Sequence, residues 1–192
     1  MNKSAVRKAI LGRRRSIPPE DATAKSAAIL DRLQALPELT SADTALCYVS
    51  SKDNEVDTQR LIAWLLGEKR RVLVPIAEPK GKLVWSELHS LDELAPGRFD
   101  ILEPRTERRR VVEPPEGAPV IVPGIAFTPD RRRIGYGGGY FDRFLAAHRG
   151  ISIGLAFDMQ IVPGFESHGH DVPVDFVVTE SRVYGKSEAP RA

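Results

Sequence analysis

One cysteine in 192 residues leaves no disulfide framework to build and no cysteine-based zinc site to propose. Cys47 falls in the apolar run 45–49 and is expected to be a small buried hydrophobe. No apolar run is long enough to span a bilayer. The stretch 1–16 carries six basic residues but no apolar segment of signal-peptide length, so a soluble, cytoplasmic chain with no membrane contact is expected. A net charge of +2 is too small to argue for nucleic acid as a partner. Histidines are few, and the spacing of His148, His168 and His170, with Asp171 nearby, fits no helical ligand pair. They are expected on the surface rather than around zinc. No Gly-x-Ser-x-Gly elbow occurs and Cys47 sits inside a predicted strand, so covalent catalysis has no obvious nucleophile.

The chain is long enough to bury about 70% of the surface that its unfolded form exposes, and a single domain over 1–192 is expected. Its periodicity predicts a basic helix over 3–15. A second helix should begin after Pro18-Pro19-Glu20-Asp21, bury Ala27, Leu30, Leu33 and Leu36, and stop at Pro37. A third, capped by Asp57 or Thr58, should run to Leu66 with Leu61, Ile62, Leu65 and Leu66 inside and Trp64 at its edge. Strands are predicted over 44–50, 71–76, 82–88, 120–127, 151–157 and 176–179, with a last helix over 140–148 and a proline-rich loop over 104–119. Strands that are apolar throughout, alternating with helices, predict an α/β fold: three layers, α/β/α, around a mostly parallel central sheet. The tail 186–192 is expected to fray. Ligands in such sheets bind beyond the carboxyl ends of the strands.

Charge is concentrated in three arginine runs, 13–15, 108–110 and 131–133. The run 108–110, flanked by Glu107 and Glu113, is expected to be a solvated face, while all three together could converge on one anionic ligand. The third run leads into the most informative segment of the chain, 122–145. Four glycines lie between Gly135 and Gly139, bounded by an apolar strand on one side and an apolar helix on the other. Glycine lets backbone N–H groups approach a charged ligand, the helix offers its positive N-terminal end, and arginine supplies fixed charge. The segment lacks the Gly-Lys-Ser/Thr ending of a P-loop. It also fails the dinucleotide fingerprint, because Tyr140 stands where the last glycine belongs. What remains is either a nest of amides for a phosphate or a glycine-rich turn that binds nothing. Asp142, in the first helical turn, either caps the helix or holds magnesium against phosphates.

Two stretches of this segment, Pro123-Gly124-Ile125-Ala126-Phe127 and Arg133-Ile134-Gly135-Tyr136-Gly137-Gly138-Gly139-Tyr140-Phe141-Asp142-Arg143-Phe144-Leu145, closely resemble the signature of the 5-formyltetrahydrofolate cyclo-ligase family. Three further segments agree in order. Lys3-Ser4-Ala5-Val6-Arg7 resembles the family's N-terminal Lys-x-x-x-Arg element, Asn54-Glu55-Val56-Asp57-Thr58 its Glu-containing loop, and 153–160 with Val174-Asp175 its C-terminal strands. The resemblance implies ATP-dependent closure of 5-formyltetrahydrofolate to 5,10-methenyltetrahydrofolate. Such phosphoryl transfer requires cations and amides more than a nucleophile.

Carried over by position, Lys3, Ser4, Ala5, Val6 and Arg7 would contact ATP, together with Arg133, Ile134, Gly135, Tyr136, Gly137, Gly138, Gly139, Tyr140 and Phe141. Arg133 and Tyr140 would be the catalytic pair. Ser50, Glu55 and the 136–140 segment would bind the folate, and Asp142 and Asp175 would hold Mg2+. A monomer acting on these two small molecules is implied. Two positions depart from the family pattern: Thr128-Pro129-Asp130-Arg131-Arg132 fills a loop that normally has a glycine turn, and Phe141 replaces a second tyrosine. The rival expectations are a sugar-phosphate isomerase or CoA-transferase relative, which needs a general base and no ATP, and a non-catalytic nucleotide- or RNA-binding module using the arginine runs.

Overall fold

A computed structural model of the chain describes residues 2–166 and 171–185. His168, His170 and the tail 186–192 therefore lie outside the described residues. In chain order these form α1 (Lys3–Arg15), α2 (Pro19–Gln34), α3 (Pro37–Thr40), β1 (Thr44–Cys47), α4 (Thr58–Gly67), β2 (Arg71–Ala77), β3 (Leu83–Leu88), β4 (Leu94–Pro96), β5 (Leu102–Pro104), β6 (Val111–Val112), β7 (Val120–Val122), β8 (Ala126–Phe127), β9 (Arg133–Ile134), α5 (Tyr140–Ala147), β10 (Ser152–Leu155), β11 (Phe176–Val178) and β12 (Val183–Tyr184). One sheet has the order β12-β11-β10-β7-β1-β2-β3-β6. Its middle, from β11 to β2, is parallel, while β12, β3 and β6 run antiparallel at the edges.

The parallel strands are apolar on both sides because both sides are covered. Val72 and Val74 of β2, with Ile121 and Ile153, face Ile29 and Leu33 of α2 and Leu61, Ile62 and Leu65 of α4. Leu46, Leu73, Val120 and Val122 point the other way, toward Trp85 and the Phe141, Phe144 and Leu145 side of α5. Burying each of these large side chains contributes roughly 1.5–3 kcal/mol. The three layers are thus those that the strand and helix pattern predicts.

Several boundaries differ from the sequence expectation. In α2 the fully buried residues are Ser26, Ile29 and Leu33: Leu33 is as predicted, Leu30 and Leu36 pack on the same core only partly buried, and Ser26 and Ile29 take the innermost places expected of Ala27 and Leu30. Pro37 does not merely stop α2: it opens α3, where a missing N–H costs nothing. The predicted strand 120–127 is broken at Pro123-Gly124, and Phe127 returns beneath it. A side chain at Gly124 or Gly154 would put Cβ 2.3 or 2.5 Å from the Phe127 ring, so both positions must be glycine for that ring to pack. The loop 128–132, lacking its glycine, takes the left-handed conformation at Arg131 (φ 67°). Arg131 is held there by bonds from its guanidinium to the carbonyls of Val174 and Gly185.

α1 packs not on the main sheet but on the β8–β9 hairpin, through Val6 and Ile10 against Ile125, Ala126 and Ile134. Its inward stripe, Val6, Ile10 and Arg14, has the four-residue spacing of a helix face. The stripe is hard to see in the sequence because its third member is an arginine.

Candidate active site

A cavity of about 540 Å³ opens at the carboxyl ends of β1, β2 and β7, where a doubly covered parallel sheet leaves room for a ligand. Its walls come from α1, the loop after β1, the end of β2, the segment 99–103 and the whole stretch 133–142. α1 runs along it, with Lys3 and Arg7 toward one end and Arg14 toward the other. About 16 Å of helix axis separates Lys3 from Arg14 at 1.5 Å per residue.

The first end is cationic. Arg133 is 5% exposed and donates to Asp142 Oδ1 at 2.8 Å, while its Nε is buried with no partner among the described residues. A guanidinium in this state is costly until a further acceptor arrives. Burial pushes its pKa down, and the charges of Asp142 and Asp171 oppose that. Lys3 donates to Asp171 at 2.6 Å, and Arg7 Nε donates to the Gly135 carbonyl at 3.0 Å. Lys3 and Arg7 share a face because they are four residues apart on α1.

The glycine segment forms the floor between the two ends. Gly137 (φ 102°) and Gly139 (φ 66°) take left-handed backbone conformations, which glycine adopts without strain and which a nest of amides uses. No side chain caps α5. Asp142 is bonded to Arg133 instead, so its helix-cap role is not what the geometry uses. Arg143 clamps the segment from outside, donating to Gly81 O at 3.0 Å and to Gly138 O. The Tyr140 hydroxyl donates to Glu78 O at 3.2 Å, which fixes its ring on the cavity wall. Phe141 contributes a ring edge to Trp85 and lies 6.0 Å beneath the Arg133 guanidinium. A hydroxyl has no part in either contact, which explains how tyrosine can be replaced here.

The second end is a relay. Arg14, 1% exposed, donates to Asp53 O at 2.7 Å, Gly124 O at 3.3 Å and the Tyr136 hydroxyl at 2.6 Å. Tyr136 in turn donates to Glu55 Oε1 at 2.9 Å, and the Ser51 amide donates to Glu55 Oε2 at 3.1 Å. Burial raises the pKa of Glu55, and the Ser51 amide and the Arg14 charge pull it back. The Tyr136 phenol is pushed up by burial and by Glu55. With two of a carboxylate's roughly four lone-pair positions taken, Glu55 keeps acceptor capacity for a ligand.

Of the residues expected at the site, Lys3, Arg7, Glu55 and all of 133–142 line the cavity. Ser4 and Ala5 face solvent on the far side of α1, and Val6 is packed against the hairpin. Ser50 is spent on structure: its amide takes the Thr58 hydroxyl as acceptor, and its own hydroxyl accepts from the Thr58 amide, which joins β1 to the start of α4. Asp175 does not join Asp142. It lies before β11, at the amino end of the parallel strands, where its Oδ2 accepts from Ser152 N and Oγ at 2.9 Å each. His148 is half-buried rather than fully on the surface: its ring stacks on Phe144 at 4.8 Å, and burial lowers its pKa. Cys47 is wholly buried, and burial pushes its thiol pKa up. Among the described residues no group of three or more His, Cys, Asp or Glu could hold a metal, and no helix is long and apolar enough to cross a membrane.

Sequence reasoning missed Arg14, Lys52, Phe99, Glu103 and Asp171. Arg14 had a signal, its spacing four from Ile10. Lys52, whose Nζ lies 5.3 Å over the Tyr136 ring, and Phe99, in a segment with positive φ at Phe99 and Asp100, sit in loops with no periodicity to read. The arginine runs do not converge. Arg110 is bound to Glu93 and Arg132 to Asp130, so each of the runs 13–15 and 131–133 sends one arginine inward and the run 108–110 sends none to this cavity.

The chain is similar to known proteins of one family. The family model of the 5-formyltetrahydrofolate cyclo-ligase family matches residues 1–180. The 5-formyltetrahydrofolate cyclo-ligase of Escherichia coli K12 is 32% identical over 177 residues, covering 90% of this chain and 97% of that one. The enzyme of that name from Mycolicibacterium smegmatis is 28% identical over 94% of this chain and 95% of its own. The solution structure of Aquifex aeolicus 5,10-methenyltetrahydrofolate synthetase superposes with a TM-score of 0.86 at 30% identity, covering all of this chain and 96% of that one. With the family model matching nearly the whole length, the chain belongs to the 5-formyltetrahydrofolate cyclo-ligase family.

Proposed function

We propose that this cavity closes the ring of 5-formyltetrahydrofolate with ATP, giving 5,10-methenyltetrahydrofolate, ADP and phosphate. The observation that carries the proposal is the polarity of a single cavity. A cluster of Arg133, Lys3 and Arg7 stands at one end, a hydrogen-bonded carboxylate, Glu55, at the other, and a glycine-rich floor connects them.

The chemical difficulty is that a formamide oxygen leaves poorly. In the reaction the formyl oxygen attacks the γ-phosphorus and the bond to the β-phosphate oxygen breaks, releasing ADP. The folate N10 then attacks the activated carbon, inorganic phosphate departs with the former formyl oxygen, and N10 gives up its proton. Charge moves onto phosphate oxygens in both steps, so fixed cations and amides lower both barriers. Arg133 takes the transferring phosphoryl group, Lys3 and Arg7 hold the rest of the triphosphate, and the 135–139 amides line its path. Glu55 accepts paired hydrogen bonds from the pterin amino group and ring N–H, which sets the formyl group against the phosphate. The Tyr140 ring covers the reacting carbon and keeps water from it.

Magnesium is usually held by one or two carboxylates, with phosphate oxygens and water completing its shell. Asp142, beside Arg133 and partly exposed, fits as the protein's carboxylate in such a set, whereas Asp175 is at the wrong end of the sheet to share it. When bound, the ion would neutralise charge on the triphosphate. A monomeric, cytoplasmic enzyme belongs to the same proposal, and size-exclusion chromatography and cell fractionation check those two points. The activity itself is tested by mixing the folded protein with 5-formyltetrahydrofolate and Mg-ATP and following the near-ultraviolet absorbance of the methenyl product. Absence of product at any enzyme concentration refutes the proposal.

A further inference from the structure

Nothing in the reaction as described uses Arg14, yet it is among the largest fully buried side chains of the described residues. Burying a guanidinium costs several kcal/mol unless its donors are all well placed, so three good acceptors around it call for an explanation. Two of them, Asp53 O and Gly124 O, are main-chain carbonyls. They tie α1 to the loop after β1 and to the end of β7, and the Asn54 amide reinforces this by donating to Arg14 O. Structure alone would be served by these. The third acceptor is the Tyr136 hydroxyl, at 2.6 Å, and its single proton is thereby committed to Glu55 Oε1.

We propose that Arg14 is a positioning residue for the folate: through the Tyr136 hydroxyl it locks the Glu55 carboxylate in the orientation that receives the pterin. The proposal rests on the cyclo-ligase assignment of the cavity. The order of donors gives the relay its direction. Guanidinium N–H donates to phenol oxygen, which polarises the phenol O–H, which donates to carboxylate, so each bond strengthens the next. The relay also crosses three separate elements, α1, the glycine segment and the loop after β1. The helix whose Lys3 and Arg7 serve the phosphates therefore also sets the geometry of the folate end. Glu55 is faced by Arg14 from α1, by Tyr136 from the glycine segment and by Tyr48 from the end of β1. Lys52, on the same loop as Glu55, stands over the Tyr136 ring. Of the two cations, Arg14 is linked to Glu55 through the Tyr136 hydroxyl, whereas Lys52 donates to Phe99 O.

The test uses Arg14→Met, Arg14→Lys, Tyr136→Phe and the double variant Arg14→Met/Tyr136→Phe, each checked for cooperative melting. Arg14→Met is expected to raise KM for 5-formyltetrahydrofolate about tenfold or more, the size of one hydrogen bond to a charged group. KM for ATP should stay within about twofold. Removing the positive charge makes Glu55 easier to protonate, so the acid limb of kcat/KM for the folate should move up in pH, by about half a unit or more. Arg14→Lys should restore the limb's position but not the KM, because an ammonium lacks the planar fork. Tyr136→Phe should reproduce the KM effect, and the double variant should be no worse than the poorer single variant by more than about twofold. An acid limb that stays in place, equal losses for both substrates, or additive losses would show that Arg14 is a structural tie and overturn the proposal. If Arg14→Met does not melt cooperatively, Tyr136→Phe decides by the same criteria, and Arg14→Lys by its substrate split: a folate KM that does not rise, or that rises together with the ATP KM, overturns the proposal. Titration of the Glu55 carboxylate carbon by NMR gives a readout independent of turnover. A wild type that makes no product refutes the cyclo-ligase assignment, while an unmoved Glu55 titration in Tyr136→Phe refutes the relay.

Discussion

The two ends of the cavity each hold one buried arginine taken from a run of three, and they use it in opposite ways. Arg133 meets a carboxylate directly, Asp142 at 2.8 Å, and retains a buried Nε with no partner among the described residues. Arg14 meets only neutral oxygens, and its reach to a carboxylate passes through a phenol. A guanidinium with spare capacity next to a partly exposed Asp is arranged to exchange partners when a phosphate arrives. One whose three nitrogens each have a partner is arranged to stay where it is. The difference matches what each end has to do, since charge moves during phosphoryl transfer while the pterin has only to be held.

The largest expected effect therefore falls on the mobile end. Arg133→Met should lower kcat/KM by roughly 10²–10³, the usual cost of losing one preorganised donor to a developing charge. Arg131→Ala and Arg132→Ala should stay within about fivefold of wild type, because those side chains are tied to the Val174 and Gly185 carbonyls and to Asp130. Steady-state kinetics on the three variants decides it, and a loss under tenfold for Arg133→Met would erase the contrast between the two ends. Asp142→Asn comes next. It keeps the shape but loses the charge that faces Arg133 and, in the proposed complex, magnesium. We expect kcat to fall about 100-fold with the folate KM changed by less than about threefold. Loss of both together, with a lowered Tm, would mean that Asp142 serves the helix and not the reaction.

At the fixed end, Glu55→Gln should raise the folate KM roughly 10- to 30-fold and leave ATP nearly untouched, because an amide replaces one of two acceptor oxygens with a donor. The pH dependence has a definite sign. Burial raises the Glu55 pKa above the ordinary carboxylate value, and the folate is held by the ionised form. Wild-type kcat/KM for the folate should then fall as the pH drops through that raised pKa. Glu55→Gln has no proton to take up there and should lose this limb, so a limb that persists in the variant belongs to another group.

These contrasts show which parts of the molecule its sequence discloses. The layered sheet was legible because alternating apolar strands and helices admit few other arrangements, and the cationic end was legible because glycine, arginine and a helix start are adjacent in the chain. Lys3 and Arg7 were found as members of a five-residue motif, but only helix geometry separates them from Ser4, Ala5 and Val6. The fixed end was legible in Glu55 alone. Arg14 looked like one third of a basic run, since nothing local says which of the three arginines will be buried. Its three acceptors, at Asp53, Gly124 and Tyr136, lie 39, 110 and 122 positions away. Interactions between distant segments are set by the packed fold, which a motif does not contain.

Asp175 is where motif and fold disagree most sharply, and it offers the smallest effect on activity with the clearest meaning. The residue stands in the signature-like pair Val174-Asp175, which made it a magnesium candidate with Asp142. In the fold, β10 and β11 are parallel neighbours and Asp175 precedes β11, so it lies a strand's length from the carboxyl ends where the cavity opens. There it brackets the starts of two strands: its amides and carboxylate exchange bonds with Ser152, Asp175 N to Ser152 Oγ at 3.0 Å and Ser152 N and Oγ to Asp175 Oδ2. Removing that acceptor leaves the Ser152 amide in need of another, at a cost of about 1–3 kcal/mol. Asp175→Ala should therefore lower the midpoint of chemical denaturation by a corresponding amount. At a temperature where the variant is fully folded, kcat and the magnesium concentration giving half-maximal rate should stay within about twofold of wild type. An increase of tenfold or more in that magnesium requirement would bring Asp175 back to the reacting phosphates. It would also mean that the amino end of the sheet moves toward the cavity when the substrates bind.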